Sequence, residues 1–216
     1  MRTVCIVQAR IGSKRLPGKV LLPLNVHTVI GEVLTRCRRI PGVDRVVCAV
    51  PDTPENDKLA DYVFYHGTQW QPGCHEVYRG PEDDVLKRYL QVAKATEADI
   101  IVRVTGDCPL ISPELCGEVV AARARSDADY ASNIEPRTFP QGMDCEVFTW
   151  GLLCRAVLRG ADEHVTTWMR SDPDVNRVNV RSPWPIEGRL TLDTYDDYNV
   201  ISAYFTDESR KHLRAA

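Results

Sequence analysis

Four cations stand close together near the amino terminus: Arg10, Lys14, Arg15 and Lys19. They lie along V-Q-A-R-I-G-S-K-R-L-P-G-K-V-L, from Val7 to Leu21, interleaved with Gly12, Ser13 and Gly18. Small residues let a backbone approach a ligand, successive N–H groups make an anion-binding concavity, and cations neutralise what enters it. That chemistry suits a nucleoside triphosphate. A triphosphate also needs a hard cation to bridge its oxygens, and magnesium takes one or two carboxylates together with phosphates and water. Two aspartates are candidates: Asp107 in T-G-D-C-P-L and Asp193 in L-T-L-D-T. Each has a second reading, Asp107 as an Asx turn ahead of Pro109 and Asp193 as a helix N-cap.

The elements that must carry these groups read as strands alternating with helices. Val4-Cys5-Ile6-Val7 is short, β-branched and unpunctuated, which predicts a buried parallel strand. The basic loop leaves its carboxyl end, where phosphate ligands sit in α/β sheets. Residues 28–39 read as a helix ending in a basic cluster before Pro41-Gly42. A second buried strand covers 45–50, a helix 55–63, and a polar loop is expected over 67–73. Residues 81–95 carry Pro81 and three acids ahead of an apolar face of Val85, Leu86, Tyr89, Leu90 and Ala93, which predicts a helix. A third strand over 99–104 brings Asp107 to the same sheet edge as the basic loop. A helix over 112–125 follows, capped by Ser112 with Pro113 at its first position.

After residue 127 the rhythm changes. Short strands are expected over 130–133 and 143–149, helices over 152–158 and 163–169, and extended chain over 175–181. A last strand at 190–192 then leads into a C-terminal helix over 195–205. The whole predicts an α/β fold with a mixed, mainly parallel sheet flanked by helices. No linker, repeat or low-complexity tract interrupts it, so residues 1–216 read as one domain, with an excursion at about 130–185.

Composition narrows the classes. With 216 residues, 44% hydrophobic and 26% charged, the chain has ordinary globular make-up. A net charge of −3 excludes a general nucleic-acid binder, which carries a strongly basic balance. The eight cysteines never form C-x-x-C, and several fall in apolar runs, as buried thiols in a reducing compartment do. Cys74-His75 is the single Cys/His neighbour pair and lacks a partner pair at metal-ligand spacing. No stretch has the length of a membrane span, and the first strand is too short for a signal segment. A cytoplasmic protein without a membrane partner is expected.

The basic loop is not a Walker A motif, which needs G-x-x-x-x-G-K-[ST]. Gly12 and Gly18 are one residue too far apart, and Val20 stands where the hydroxyl belongs. Nor does it carry G-x-G-x-x-G. It resembles A-R-x-x-S-x-R-L-P-x-K, the signature of sugar-activating nucleotidyltransferases. The closest match is the cytidylyltransferase group of the CMP-KDO and CMP-acylneuraminate synthetases and the spore-coat polysaccharide biosynthesis protein F family. Further segments resemble that group in the same order: G-P-E-D-D-V-L from Gly80, G-D-C-P-L from Gly106, R-T-F-P-Q-G-M-D-C-E-V-F from Arg137, E-H-V-T from Glu163 and L-D-T-Y-D-D from Leu192.

The resemblance implies a Rossmann-like, GT-A-like nucleotidyltransferase fold, a homodimer, and transfer of CMP from CTP to a sugar-acid hydroxyl for surface glycan synthesis. It implies that Ala9, Arg10, Gly12, Ser13, Lys19, Asp83 and Asp107 bind the nucleotide, with Arg10, Arg15, Lys19 and Asp107 in the chemistry. Asp107 and Asp193 would hold Mg2+. Arg137, Gln141, Asp144, Glu146 and His164 would meet the acceptor, the 130–185 excursion covering that site or forming the dimer contact. Arg137 suits an acceptor carboxylate or a structural salt bridge. Asp144 and Glu146, two apart on a strand, would share one face. The chain departs from the pattern at Asn25-Val26-His27-Thr28, where relatives carry a Gly-Lys-Pro-like turn, and at Thr105, where some carry glutamine. Use of UTP or GTP, a nucleotide-sugar glycosyltransferase, and a non-catalytic partner that kept the fold therefore stay open.

Overall fold

The computed structural model describes residues 1–24, 26–70, 76–160 and 165–214, without the side chains of 66–70 and 207–214. The first predicted strand is β1 (Thr3–Gln8), buried along its length up to the edge residue Gln8. The chain then forms the basic loop, a short 3₁₀ turn at Lys19–Leu21, and the hairpin of β2 (Pro23–Leu24) and β3 (His27–Thr28). Helix α1 (Val29–Cys37) is capped by the Thr28 hydroxyl, which accepts from Gly31 N at 3.2 Å. Strand β4 (Arg45–Pro51) and helix α2 (Asp57–Trp70) follow. α2 extends into the segment read as a polar loop, because Gly67 inside a helix costs only about 1 kcal/mol and no proline stops it. The rest of that loop, with Cys74-His75, lies outside the described residues.

Strand β5 (Glu76–Gly80) is an edge strand that the sequence did not announce, since it is half-buried and lacks an apolar run. Helix α3 (Val85–Ala95) starts later than expected. Asp84, not Pro81, caps it, accepting from Lys87 N at 2.7 Å. Strand β6 (Ile100–Thr105) and helix α4 (Pro113–Ser126), capped by Ser112, match the expectation. Then come β7 (Tyr130–Ser132), β8 (Glu146–Thr149), α5 (Trp150–Leu158), α6 (Thr167–Ser171), β9 (Arg177–Asn179) and α7 (Tyr195–Arg214). Residues 190–192 form no strand; they run beside the 140–142 turn, with Leu190 N donating to Gln141 O at 2.6 Å. Asp144 precedes β8, so the shared strand face expected for Asp144 and Glu146 is not formed.

The seven-stranded sheet has the order β5-β4-β1-β6-β8-β7-β9, and β8 alone runs against its neighbours. It is a mixed, mostly parallel sheet with helices on both faces, as predicted. One face buries Cys5, Val7, Val102, Val104 and Val147 with Ile30, Leu34, Leu59 and Val119 of the helices. The other buries Val4, Ile6, Ile101 and Phe148 with Tyr89, Leu152 and Met169. A third, smaller cluster docks Ile201 and Phe205 of α7 on Leu24 and Val29 beside the basic loop. Six cysteines are buried and Cys154 half-buried, all as free thiols. Among the described residues no helix is long and apolar enough to cross a membrane.

Candidate active site

The basic loop springs from the carboxyl end of β1 and is braced by the 3₁₀ turn Pro54–Asn56 that follows β4. Ile11 N donates to Oδ1 of the fully buried Asn56 at 2.9 Å, and Ser13 N and Gly18 N both return to Ile11 O at 2.7 and 3.1 Å. This curl holds Arg10, Lys14 and Arg15 around an open cleft and turns Lys19 inward, where it is only 7% exposed.

Two glycines bring the acids to that lysine. At the end of β6, Gly106 N donates to Gln8 O at 2.8 Å, and a Cβ there would lie 2.8 Å from Ala9 Cβ. Only glycine lets the turn approach β1 closely enough to set Asp107 beside Lys19. Gly142, with φ +102°, lies so close to the 190–191 backbone that a Cβ would sit 2.5 Å from Leu190 C. That approach locks the R-T-F-P-Q-G turn onto the segment carrying Asp193. The two motifs are parts of one structure.

Lys19 Nζ donates to Asp107 Oδ2 at 2.8 Å, to Asp193 Oδ1 at 2.8 Å and to Leu192 O at 2.7 Å. Burial disfavours its charge, but the two carboxylates outweigh burial and raise its pKa. Asp193 also pairs with Arg15, at 2.9 Å, and with Arg189. Burial would raise the Asp193 pKa, yet Lys19, Arg15 and Arg189 together hold it below the usual carboxylate value. Asp197 accepts from the backbone N–H groups of Asp193 and Thr194 at 2.9 and 2.8 Å, so it caps α7 rather than facing the cleft. The three oxygens around Lys19 are hard donors converging on one cationic point, a set that fits a divalent ion completed by phosphates and water.

The cleft measures about 460 Å³. Six cations, Arg10, Lys14, Arg15, Lys19, Arg88 and Arg103, line it with only two carboxylates, Asp107 and Asp193. Such a balance draws a polyphosphate. Arg10 and Lys14 have no ion-pair partner among the described residues, which leaves their charge for a ligand. Ala9, Gly12 and Ser13 also line the cleft, so the loop residues named from sequence gather in one place.

The other named residues divide. Asp83 is exposed in the turn ahead of α3 and does not line the cleft. Arg137 and Asp144 form a two-pronged pair, with Arg137 Nη2 at 2.9 Å from Asp144 Oδ2. The Asp144 charge adds to burial and to Asp107 in raising the pKa of the Cys108 thiol, and neither Arg137 nor Asp144 lines the cleft. Gln141 accepts from Arg189 Nη1 at 2.9 Å and thereby steadies a partner of Asp193. Glu146, expected at the acceptor, is buried instead: one oxygen takes the Arg103 guanidinium and the other the Tyr130 hydroxyl at 2.5 Å. It has no free oxygen to offer a sugar. His164 lies outside the described residues.

Sequence reading passed over Arg88, Arg103 and Arg189. Arg103 interrupts the buried run of β6, and a charge in such a run signals a paired or functional group. Burial works against its charge, and Glu146 more than restores it, raising the pKa. Arg88 falls on the apolar stripe of α3, 2% exposed, with one guanidinium nitrogen on Pro81 O and its Nε unpartnered. Arg189 gave no signal, since its role arises only from the 140–142 contact.

A cation-rich cleft at the carboxyl edge of a mostly parallel sheet, with two aspartates meeting its lysine, is the site of a nucleotidyltransferase. Comparison with known proteins narrows the class. The family model described as cytidylyltransferase matches residues 4–141. The chain is 33% identical to the spore coat polysaccharide biosynthesis protein SpsF of Bacillus subtilis (strain 168), over 93% of this chain and 85% of that protein. Among solved structures, a cytidylyltransferase from Leptospira borgpetersenii superposes with a TM-score of 0.85 at 28% identity, covering 99% of this chain and 96% of that one. A CMP:2-keto-3-deoxy-manno-octonic acid synthetase complexed with CTP shares the fold, with a TM-score of 0.71 at 18% identity over 96% of this chain and all of that one. The chain belongs to the cytidylyltransferase family.

Proposed function

We propose that this protein transfers CMP from CTP to a hydroxyl of a sugar acid and releases pyrophosphate, as a step in surface polysaccharide or glycan synthesis. The observation that carries the reading is the cleft itself, with six cations and two aspartates on the edge where β1 and β6 end. Arg10, Arg15 and Lys19 would bind the β- and γ-phosphates and offset charge on the departing pyrophosphate. The acceptor oxygen attacks the α-phosphorus in line, the bond from that phosphorus to the bridging oxygen breaks so that this oxygen leaves with the pyrophosphate, and the hydroxyl proton passes to water. Asp107, Asp193 and the Leu192 carbonyl would hold Mg2+, which when bound neutralises phosphate charge and lowers the pKa of the acceptor hydroxyl. Positioning and charge complementarity suffice for such a reaction.

Arg137 and Asp144, paired with each other, would supply a guanidinium and a carboxylate for an acceptor's carboxylate and hydroxyls. Gln141 and Glu146 act one step back, through Arg189 and Arg103. The reading takes the protein as a cytoplasmic homodimer, 1–216 forming one domain.

Thermal stability against CTP, UTP, ATP and GTP, each with and without Mg2+, tests the donor. A ligand at a hundred times its dissociation constant adds about 2.7 kcal/mol, an easily read melting shift. A magnesium-dependent shift with CTP alone, then pyrophosphate release with a sugar acid, supports the proposal. A shift with another nucleotide moves the donor, and no shift with any nucleotide overturns it.

A further inference from the structure

The Lys19 ammonium has three N–H donors, and all three are engaged by the protein: Asp107 Oδ2, Asp193 Oδ1 and Leu192 O, each within 2.7–2.8 Å. It has none left for a phosphate oxygen. To hold a triphosphate, as proposed above, Lys19 must give up at least one of these acceptors. Its four-carbon stem permits that swing while its backbone stays fixed in the Lys19–Leu21 turn.

The two acids are not equally prepared for the loss. Asp193 keeps Arg189 even when Arg15 turns to the phosphates, whereas Asp107 has no second cation among the described residues. When Lys19 leaves, Asp107 stands beside Asp193 with its charge uncompensated, in a site where both side chains are at least three-quarters buried. A cation must then take the vacated point, and the oxygens already there suit a divalent one.

We infer that Lys19 and a divalent cation compete for the Asp107–Asp193 pair, so that cation binding is coupled to nucleotide binding through this lysine. Lys19 occupies the pair until a triphosphate offers it better acceptors; the divalent cation then fills the place it leaves. The device keeps the carboxylates aligned and limits occupation by metal without substrate. It rests on the nucleotidyl-transfer reading for the role of the triphosphate, but its central claim concerns Lys19 and the metal alone.

The test uses Mn2+ as probe, with free Mn2+ read by electron paramagnetic resonance and no nucleotide present. Lys19→Met should bind Mn2+ at least about tenfold more tightly than the wild type, within the usual range of coupling between sites. The gain should vanish in Lys19→Met/Asp107→Asn. Equal Mn2+ affinity in wild type and Lys19→Met overturns the inference. Should Lys19→Met not fold, the wild type gives the answer by acetylation and mass spectrometry. Saturating Mn2+ should speed modification of Lys19 several-fold, and an unchanged rate overturns the competition. Nucleotide binding is scored separately: a Mn2+ gain in Lys19→Met with no CTP-dependent stabilisation of the wild type would leave the competition standing while the proposed donor fails.

Discussion

At the Lys19 cluster the two carboxylates keep 25% and 14% of their side-chain surface, whereas at the Arg103 cluster Glu146 keeps 3%. Both clusters pair acids with a cation at the carboxyl edge of the sheet, and both cations line the same cleft. They differ in what closes them. The Lys19 cluster draws on three separate segments: the basic loop, the turn after β6 and the Leu192–Asp193 segment ahead of α7. Around Arg103 the partners come from adjacent positions of paired strands, Arg103 opposite Glu146 and Glu146 opposite Ser132, with Tyr130 completing the set. Partners on loops can part and take a ligand; partners locked in strand register cannot move without moving the sheet. One cluster is therefore suited to chemistry and the other to support.

The largest expected effect separates them outright. Asp107→Asn should lower the rate of pyrophosphate release by roughly a hundredfold to a thousandfold, the usual cost of removing a group that organises transition-state charge. Its far-ultraviolet spectrum and cooperative unfolding should be retained, because Asp107 is a quarter exposed and supports no buried strand. Retained turnover with Mg2+ would remove Asp107 from the chemistry.

Glu146→Ala should show the opposite pattern. It leaves Arg103 buried without its counter-charge and frees the Tyr130 hydroxyl. Allowing for the one-fifth exposure of Arg103, the loss should be about 3 kcal/mol of stability in urea titration. Activity per folded molecule should fall less than in Asp107→Asn. A variant as stable as wild type would mean that the cluster is not a support.

Gly142→Ala probes the contact between the two motifs. The added methyl meets backbone at 2.5 Å, and the positive φ adds strain, so roughly 2 kcal/mol should be lost. The shift should appear at Asp193 as well as at the turn. An acceptor KM and kcat that both change, with CTP-dependent stabilisation preserved, would sharpen the assignment; unchanged kinetics would break it.

These contrasts also show what the chain disclosed before folding. Apolar runs revealed β1, β4, β6 and α1, because burial on one or both faces leaves a pattern in the residues themselves, while Ser112 and Pro113 marked the start of α4. Lys19, Arg10 and Asp107 were legible because glycines and charges at a strand end have few other uses. Glu146 was misplaced for a physical reason. A carboxylate two residues from Asp144 on a strand reads as sharing its face, and only strand pairing reveals that Arg103 sits opposite it. Edge strand β5 was missed and the 190–192 segment misread as a strand because their structure comes from neighbours rather than from their own pattern. Arg189 belongs to the same class, since its importance depends on Gln141, forty-eight positions away.

The smallest effect tests whether Asp193 is held as an ion by its three cations. Its pKa is lowered in the fold, so its pairing contributes stability above the unfolded value of about 3.9 and loses it as pH falls through the lowered folded value. The stability difference between wild type and Asp193→Asn should therefore be constant from neutral pH down to about 5 and shrink only at more acid pH. Added salt should reduce it little, because the carboxylate side chain is only 14% exposed and screening acts chiefly on exposed charges. Guanidinium or urea midpoints of the two proteins, taken across that range, give the measurement. A difference that fades already between pH 7 and 5 would mean that Asp193 is not held ionised by Lys19, Arg15 and Arg189, and the contrast with the sealed Arg103 cluster would lose its electrostatic basis.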